Sequence, residues 1–208
     1  MVFVFDLGGV VLNWQPLALI RQVLPHRAPD AHSAQNAIGQ IFESFNPQSD
    51  WAQFDLGLIE PAPLAAKIAK RVGWPQAEIT QLIASVPKHL NPVQETVQLM
   101  ADLKQAGHTL YYLSNMPAPY ADHLERHHDF FQHFTDGIFS ARVNCIKPHP
   151  RMFDMAERQF NLSGVPCIFL DDVAHNINAA KAQGWAGYCF EDAAQIRQIL
   201  QAQGLLSN

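Results

Sequence analysis

Hydrophobic and polar positions alternate along this chain in two distinct patterns. Short runs rich in Val, Ile, Phe and Tyr, at residues 2–5, 109–113, 137–139, 167–170 and 187–190, predict strands. Apolar positions at helical spacing predict helices over 17–24, 34–45, 61–72, 75–86 and 92–105, and again over 119–126, 150–160 and 174–183. From residue 109 onward strand and helix take turns, the order that produces a parallel sheet covered on both faces. The predicted fold class is therefore α/β. About a hundred residues separate the first strand from the second, far more than the dozen or so that a crossover needs.

That interval is helical in pattern and is punctuated by Gly73, Pro75, Pro87 and Pro92. Its last helix runs through Ala106-Gly107 into the second strand, with Gly107 as a C-terminal stop, and so belongs to the α/β unit. The rest divides the chain into an α/β core at 1–13 and 89–208 and an all-helical insertion at 14–88. A total of 208 residues accommodates this as one domain split by an insertion.

Composition narrows the partners. The net charge is −5, from 14 Lys and Arg against 19 Asp and Glu, which leaves no basic face for a nucleic-acid backbone. No apolar run reaches the roughly 18 residues of a membrane span. The first twelve residues contain Asp6 and lack a basic start, so they predict a buried strand and not a signal peptide. A cytoplasmic protein is the expectation. Cys145, Cys167 and Cys189 are odd in number and set in apolar runs, which predicts small core residues and neither a disulfide framework nor a zinc site.

In an open parallel sheet, ligands bind beyond the carboxyl ends of the strands. The residues at those ends are Asp6 in Asp6-Leu7-Gly8-Gly9-Val10, then Ser114-Asn115, then Asp171-Asp172 followed by Asn176. Lys147, in Lys147-Pro148, follows the third strand. A carboxylate, a hydroxyl, an ammonium and a carboxylate pair would converge on one crevice. Taken singly, each has an ordinary explanation as a turn residue, a helix cap or a surface lysine. Taken together, they define a combined site.

These four segments, in this order, resemble the motifs of the haloacid dehalogenase (HAD) superfamily. The Leu-Ser-Asn, Lys-Pro-x-Pro and Asp-Asp-x-x-x-Asn wording is similar to the branch that holds the sugar-1-phosphate phosphatases and the phosphatase domain of soluble epoxide hydrolases. The resemblance implies a Rossmann-like core with a helical cap inserted after the first strand. It also implies a Mg²⁺-dependent phosphatase acting through an aspartyl-phosphate on Asp6, since a covalent intermediate splits a difficult step into two easier ones. Asp6, the Gly8 carbonyl and Asp172 would hold the metal. Asp171 and Asn176 would hold metal waters or orient Asp172. Ser114, Asn115, Lys147 and the loop at Gly8 and Gly9 would bind the phosphoryl group, with Ser114 and Lys147 also serving catalysis. The implied partner is a small phosphorylated metabolite, a sugar phosphate such as an anomeric 1-phosphate being the best choice. Monomer and homodimer both stay open.

Gly8 departs from that pattern, because most phosphatases of the superfamily carry there an Asp that protonates the leaving group. Three readings follow: a substrate whose leaving group needs no proton, a substitute donor such as His149, His175 or a group from the insertion, or a non-catalytic phosphometabolite-binding protein. The acidic pair Asp171-Asp172 argues against metal-free dehalogenation. The absence of any Lys before Lys67 argues against a phosphonatase, which needs an early Schiff-base lysine. His123, His127, His128 and His133 read as a solvated helix face. Trp14, Trp51, Phe54 and Trp74 read as core of the insertion, with Trp14 close enough to the first motif to overhang the site. Arg21, Asp55 and Glu60 are polar residues of the insertion without an assigned role.

Overall fold

The computed structural model describes residues 1–43 and 46–207. Five parallel strands, β1 (Val2–Phe5), β2 (Thr109–Ser114), β3 (Asp136–Phe139), β4 (Cys167–Asp171) and β5 (Ala186–Cys189), form one sheet in the order β3-β2-β1-β4-β5. The fold is α/β, as the alternation predicted, and Rossmann-like, as the resemblance implied. Chain order reverses beside β1, whose two neighbours are β2 and β4. That reversal opens a crevice at the carboxyl ends of the central strands.

The period of two along each strand feeds two separate cores. Phe3, Phe5, Leu110, Tyr112, Ile168 and Leu170 face one side, while Val2, Val4, Leu113, Cys167 and Phe169 face the other. Helices α6 (Gln94–Gln105), α7 (Ala118–His127) and α11 (Ala193–Ala202) cover the first face through residues such as Leu99, Leu124 and Ile196. Helices α9 (Pro150–Gln159) and α10 (Ala174–Ala182) cover the second with Met152, Phe153, Ala156, Ile177 and Ala180. Fully burying a Phe such as Phe3 or Phe153 stabilises by about 1.5–3 kcal/mol, so both faces hold the sheet firmly. A four-residue helix, α8 (Ser140–Val143), follows β3, and a 3-10 turn at Asp129–His133 precedes it.

Among the described residues, five α-helices lie between β1 and α6: α1 (Pro16–Val23), α2 (Ala31–Phe42), α3 (Asp50–Asp55), α4 (Pro61–Val72) and α5 (Gln76–His89). The helix expected over 34–45 starts earlier, because the Asp30 carboxylate accepts from Ser33 N and caps it. The last two residues of that expectation, 44 and 45, lie outside the described residues. The patterns did not predict α3 and α8, which are too short to show a period. Gly107 has φ +82° and ends α6 as expected.

Pro87 was expected to break its helix, yet α5 runs on to His89. A proline cannot donate to the carbonyl four residues earlier. Here that carbonyl, on Ile83, accepts instead from the Tyr120 hydroxyl at 2.7 Å, and Tyr120 belongs to α7 of the core. The gap in the helix ladder thus becomes a tie between insertion and core. A second tie forms at the end of α3: Ser140 Oγ donates to the Asp55 carbonyl at 2.5 Å, and Asn144 Nδ2 donates to the Leu56 carbonyl at 2.8 Å. Gly57, at φ +71°, sits so near α8 that a Cβ there would lie 2.7 Å from the Ala141 carbonyl oxygen.

Cys145 and Cys167 are buried as expected, but Cys189 is exposed. It is the last residue of β5, an edge strand, where the pleat turns it to the rim. Tyr120→Phe removes the hydroxyl that donates to the Ile83 carbonyl and is expected to lower unfolding free energy by about 1–3 kcal/mol, read by urea denaturation. Unchanged stability would show that the carbonyl finds another partner.

Candidate active site

The strand ends deliver the site. Asp6 follows β1 directly, Ser114 closes β2 and Asp171 closes β4. Phe5 pairs with Leu170, and the Asp6 amide donates to the Leu170 carbonyl at 2.8 Å, so Asp6 and Asp171 stand side by side. Ligand oxygens of Asp6, Asp171 and Asp172 all lie within 4.8 Å of one another.

Lys147 fills the centre of this group. Its Nζ is 2.9 Å from Asp6 Oδ1 and 2.7 Å from Asp171 Oδ2, and it lies over the Phe169 ring. Lys147 is 3% exposed, Asp6 8% and Asp171 0%. Burial alone would lower the Lys147 ammonium, but Asp171 and Asp6 outweigh it and raise it, so the lysine is charged. Burial pushes the Asp6 carboxyl up to about 7 against the pull of Lys147, and Asp171 and Asp172 add to the rise. Burial and Asp171 push Asp172 up as well.

Asp6 Oδ1 also accepts from the Leu7 amide at 2.7 Å, which leaves Oδ2 without a hydrogen bond among the described residues. One oxygen is held and the other is open, the arrangement a nucleophilic or metal-binding carboxylate requires. Asp171 is fully engaged instead. Besides Lys147 it accepts from Val173 N at 2.8 Å and from Asn176 Nδ2, 3.0 Å from each carboxylate oxygen. Asn176 therefore orients Asp171, not Asp172, and Asp171 orients Lys147.

Asn115 is engaged in a similar way. Its Oδ1 accepts from the Lys147 amide at 2.8 Å and its Nδ2 donates to the Lys147 carbonyl at 3.0 Å, a paired clamp that fixes the lysine backbone. The following Lys147–Pro148 peptide is cis. Ser114 and Gly8 line the cavity. Gly9 does not, and its contribution is clearance: at φ +77° a Cβ would stand 2.4 Å from Asp172 Oδ2.

Above this polar floor lies a cavity of about 970 Å³. The insertion contributes Trp14, Trp51, Val86 and Asp55 to its wall, and the core adds Met116 and Tyr120. Trp14 thus overhangs the site, Trp51 joins it, Phe54 is buried in the core, and Trp74 packs under Arg27. Arg21 and Glu60 are exposed and take no part in the cavity. His149 is exposed and caps α9, its Nδ1 accepting from Arg151 N, whereas His175 reaches the cavity rim. His123 and His127 stack on α7, and the His127 ring bonds the His123 carbonyl, as a helix face would.

Three carboxylates face a single ammonium, so the cluster is short of positive charge. Hard oxygen ligands with Asp6 Oδ2 and Asp172 open suit Mg²⁺. The donor set therefore fits a divalent cation of that kind.

Asp55 was visible in the sequence only as a polar residue. Burial pushes its carboxyl up to about 8, from an ordinary value of 3.8, and the charge of Asp6 adds to the rise. Below about pH 4 this group is protonated in both folded and unfolded chains and costs nothing; toward pH 8 only the unfolded chain releases the proton, so stability falls. Asp55→Asn is therefore expected to gain stability over wild type progressively from pH 4 to pH 8 in the presence of chelator. A pH-independent difference in urea midpoints would count against the burial of that charge.

Known proteins resemble this chain in sequence and fold. The family model for haloacid dehalogenase-like hydrolases matches residues 1–184. The sesquiterpene phosphatase astK of Aspergillus oryzae is 28% identical over 202 residues, 95% of each chain. A HAD family enzyme of Bacteroides thetaiotaomicron, crystallised with magnesium and inorganic phosphate, superposes with a TM-score of 0.68 at 22% identity, covering 91% of this chain and 93% of its own. The L-2-haloacid dehalogenase of Xanthobacter autotrophicus superposes at 0.67 with 19% identity, over 89% of this chain and 75% of its own. With strand ends, lysine and acidic pair in place, this chain belongs to the haloacid dehalogenase-like hydrolase family.

Proposed function

We propose that the protein is a Mg²⁺-dependent phosphomonoesterase that hydrolyses a small phosphorylated metabolite through an aspartyl-phosphate on Asp6. The observation that carries this reading is the half-engaged Asp6 carboxylate, one oxygen held by Lys147 and Leu7 and the other open at the cavity floor. A phosphate dianion is repelled by that floor unless a cation intervenes. Asp6, the Gly8 carbonyl and Asp172 would hold Mg²⁺, which supplies Lewis-acid stabilisation of phosphoryl charge. Lys147 supplies fixed positive charge to the phosphoryl oxygens, and Asp171, Asn176 and Asn115 hold it in place. Ser114 offers its hydroxyl to the same oxygens, and the helices at 14–88 serve as a cap whose wall excludes water.

The resemblance of the motifs points to a sugar phosphate, best an anomeric 1-phosphate. A second reading is favoured by the wall itself. Trp14, Trp51, Val86, Leu90, Met116 and Tyr120 present an apolar surface that offers a polyol few hydrogen bonds and suits a hydrophobic alcohol. The similar fungal protein is named a sesquiterpene phosphatase, which agrees with a phosphate ester of that apolar class.

Hydrolysis of p-nitrophenyl phosphate is expected to require added Mg²⁺, to stop with EDTA and to be abolished by Asp6→Asn. Equal activity in the variant would sink the mechanism. Comparing kcat/KM for glucose 1-phosphate and farnesyl monophosphate separates the two substrate classes.

A further inference from the structure

The oxygen that leaves phosphorus must acquire a proton, and Gly8 has no side chain to give it. His149 is outside the cavity, engaged as a helix cap. Asp55 is differently placed. It lines the same cavity as Asp6, Ser114 and Lys147, and it comes from the end of α3, whereas the other carboxylates stand at the carboxyl ends of β1 and β4. No described residue hydrogen-bonds its carboxyl, and no hydrogen bond joins it to Asp6 or Asp172.

Its position is fixed by the backbone. Ser140 Oγ accepts from Met116 N at 2.8 Å and donates to the Asp55 carbonyl, so the loop after Ser114 and the end of α3 share one hydroxyl. Asn144 holds the next carbonyl, and the close approach of Gly57 to Ala141 leaves α3 no room to slide. A free carboxyl on a held backbone, in the cavity that also contains the nucleophile, can serve proton transfer.

We propose that Asp55 is the proton donor to the leaving group, in the role the missing side chain at Gly8 would otherwise play. The inference rests on the reading of Asp6 as nucleophile. In the first step an Asp6 oxygen bonds to phosphorus, the bond from phosphorus to the leaving oxygen breaks, and that oxygen keeps the electron pair and takes the Asp55 proton. In the second step water attacks the aspartyl-phosphate, Asp55 takes the water's proton, and the bond between phosphorus and Asp6 breaks to release phosphate. Asp55 ends protonated and Asp6 ends as carboxylate, as they began. The raised carboxyl of Asp55 supports the assignment, since burial is the larger cause and the group holds its proton near neutral pH.

The test is a series of phosphate esters of decreasing leaving-group quality, p-nitrophenyl, phenyl and a primary alkyl phosphate, measured with Mg²⁺ for wild type, Asp55→Asn and Asp55→Asn/Gly8→Asp. Asp55→Asn is expected to lose about 10²–10⁴-fold in kcat/KM on the alkyl ester and less than about tenfold on the p-nitrophenyl ester. Nothing lies within 4 Å of a Cβ built on Gly8, so an Asp there fits and is expected to restore part of the alkyl activity. An equal loss on all three esters, or no loss on the alkyl ester, would overturn the proposal. Failure of the phosphatase reading itself shows elsewhere, as p-nitrophenyl phosphate turnover that survives Asp6→Asn.

Discussion

One ammonium between two carboxylates organises the centre of this molecule. Lys147 is almost fully buried, and removing a partner from such a pair typically costs about 3–5 kcal/mol because a charge is left uncompensated. The surroundings show how that risk is contained. Asn115 clamps the lysine backbone, Phe169 lies beneath its head, and Asn176 with Val173 fixes the carboxylate it meets. Lys147, Asp171, Asn115 and Asn176, all expected near phosphate or metal, are occupied in holding one another, while Asp172 and one oxygen of Asp6 stay open. The site is preorganised, which is what electrostatic stabilisation of a developing charge requires.

The sheet makes this possible. Alternation along β1, β2 and β4 commits every apolar side chain to one of two cores, so the first polar residue past each strand projects from the end of the sheet. The reversal of strand order beside β1 brings three such ends together without any long-range loop. The insertion then roofs the floor by contacts that use backbone carbonyls at the ends of α3 and within α5.

Much of this was legible in the residues. The strands stand out because buried parallel strands are continuous apolar runs, and Asp6, Ser114 and Asp171 follow because strands end where polarity begins. Roles were less legible than positions. Nothing in Asn115 or Asn176 as letters says that the one binds Lys147 and the other Asp171, since both bonds cross between elements far apart in sequence. Asp55 could not be singled out, because α3 has only six residues and its relation to Asp6 exists only after the insertion packs on the core. Pro87 misled for a comparable reason: the partner that rescues its helix comes from α7.

The contact between Gly9 and Asp172 has a consequence for how such a sequence can drift. The carboxylate occupies the volume in which any other residue at position 9 would put its first side-chain carbon, and the backbone there is already in the region glycine favours. The opening motif and the closing acidic pair, at opposite ends of the chain, are thus a single steric unit. Any other residue at position 9 would need both a backbone in that disfavoured region and a shift of the Asp172 side chain, so the shape of the first loop and the placement of the last acid are set together.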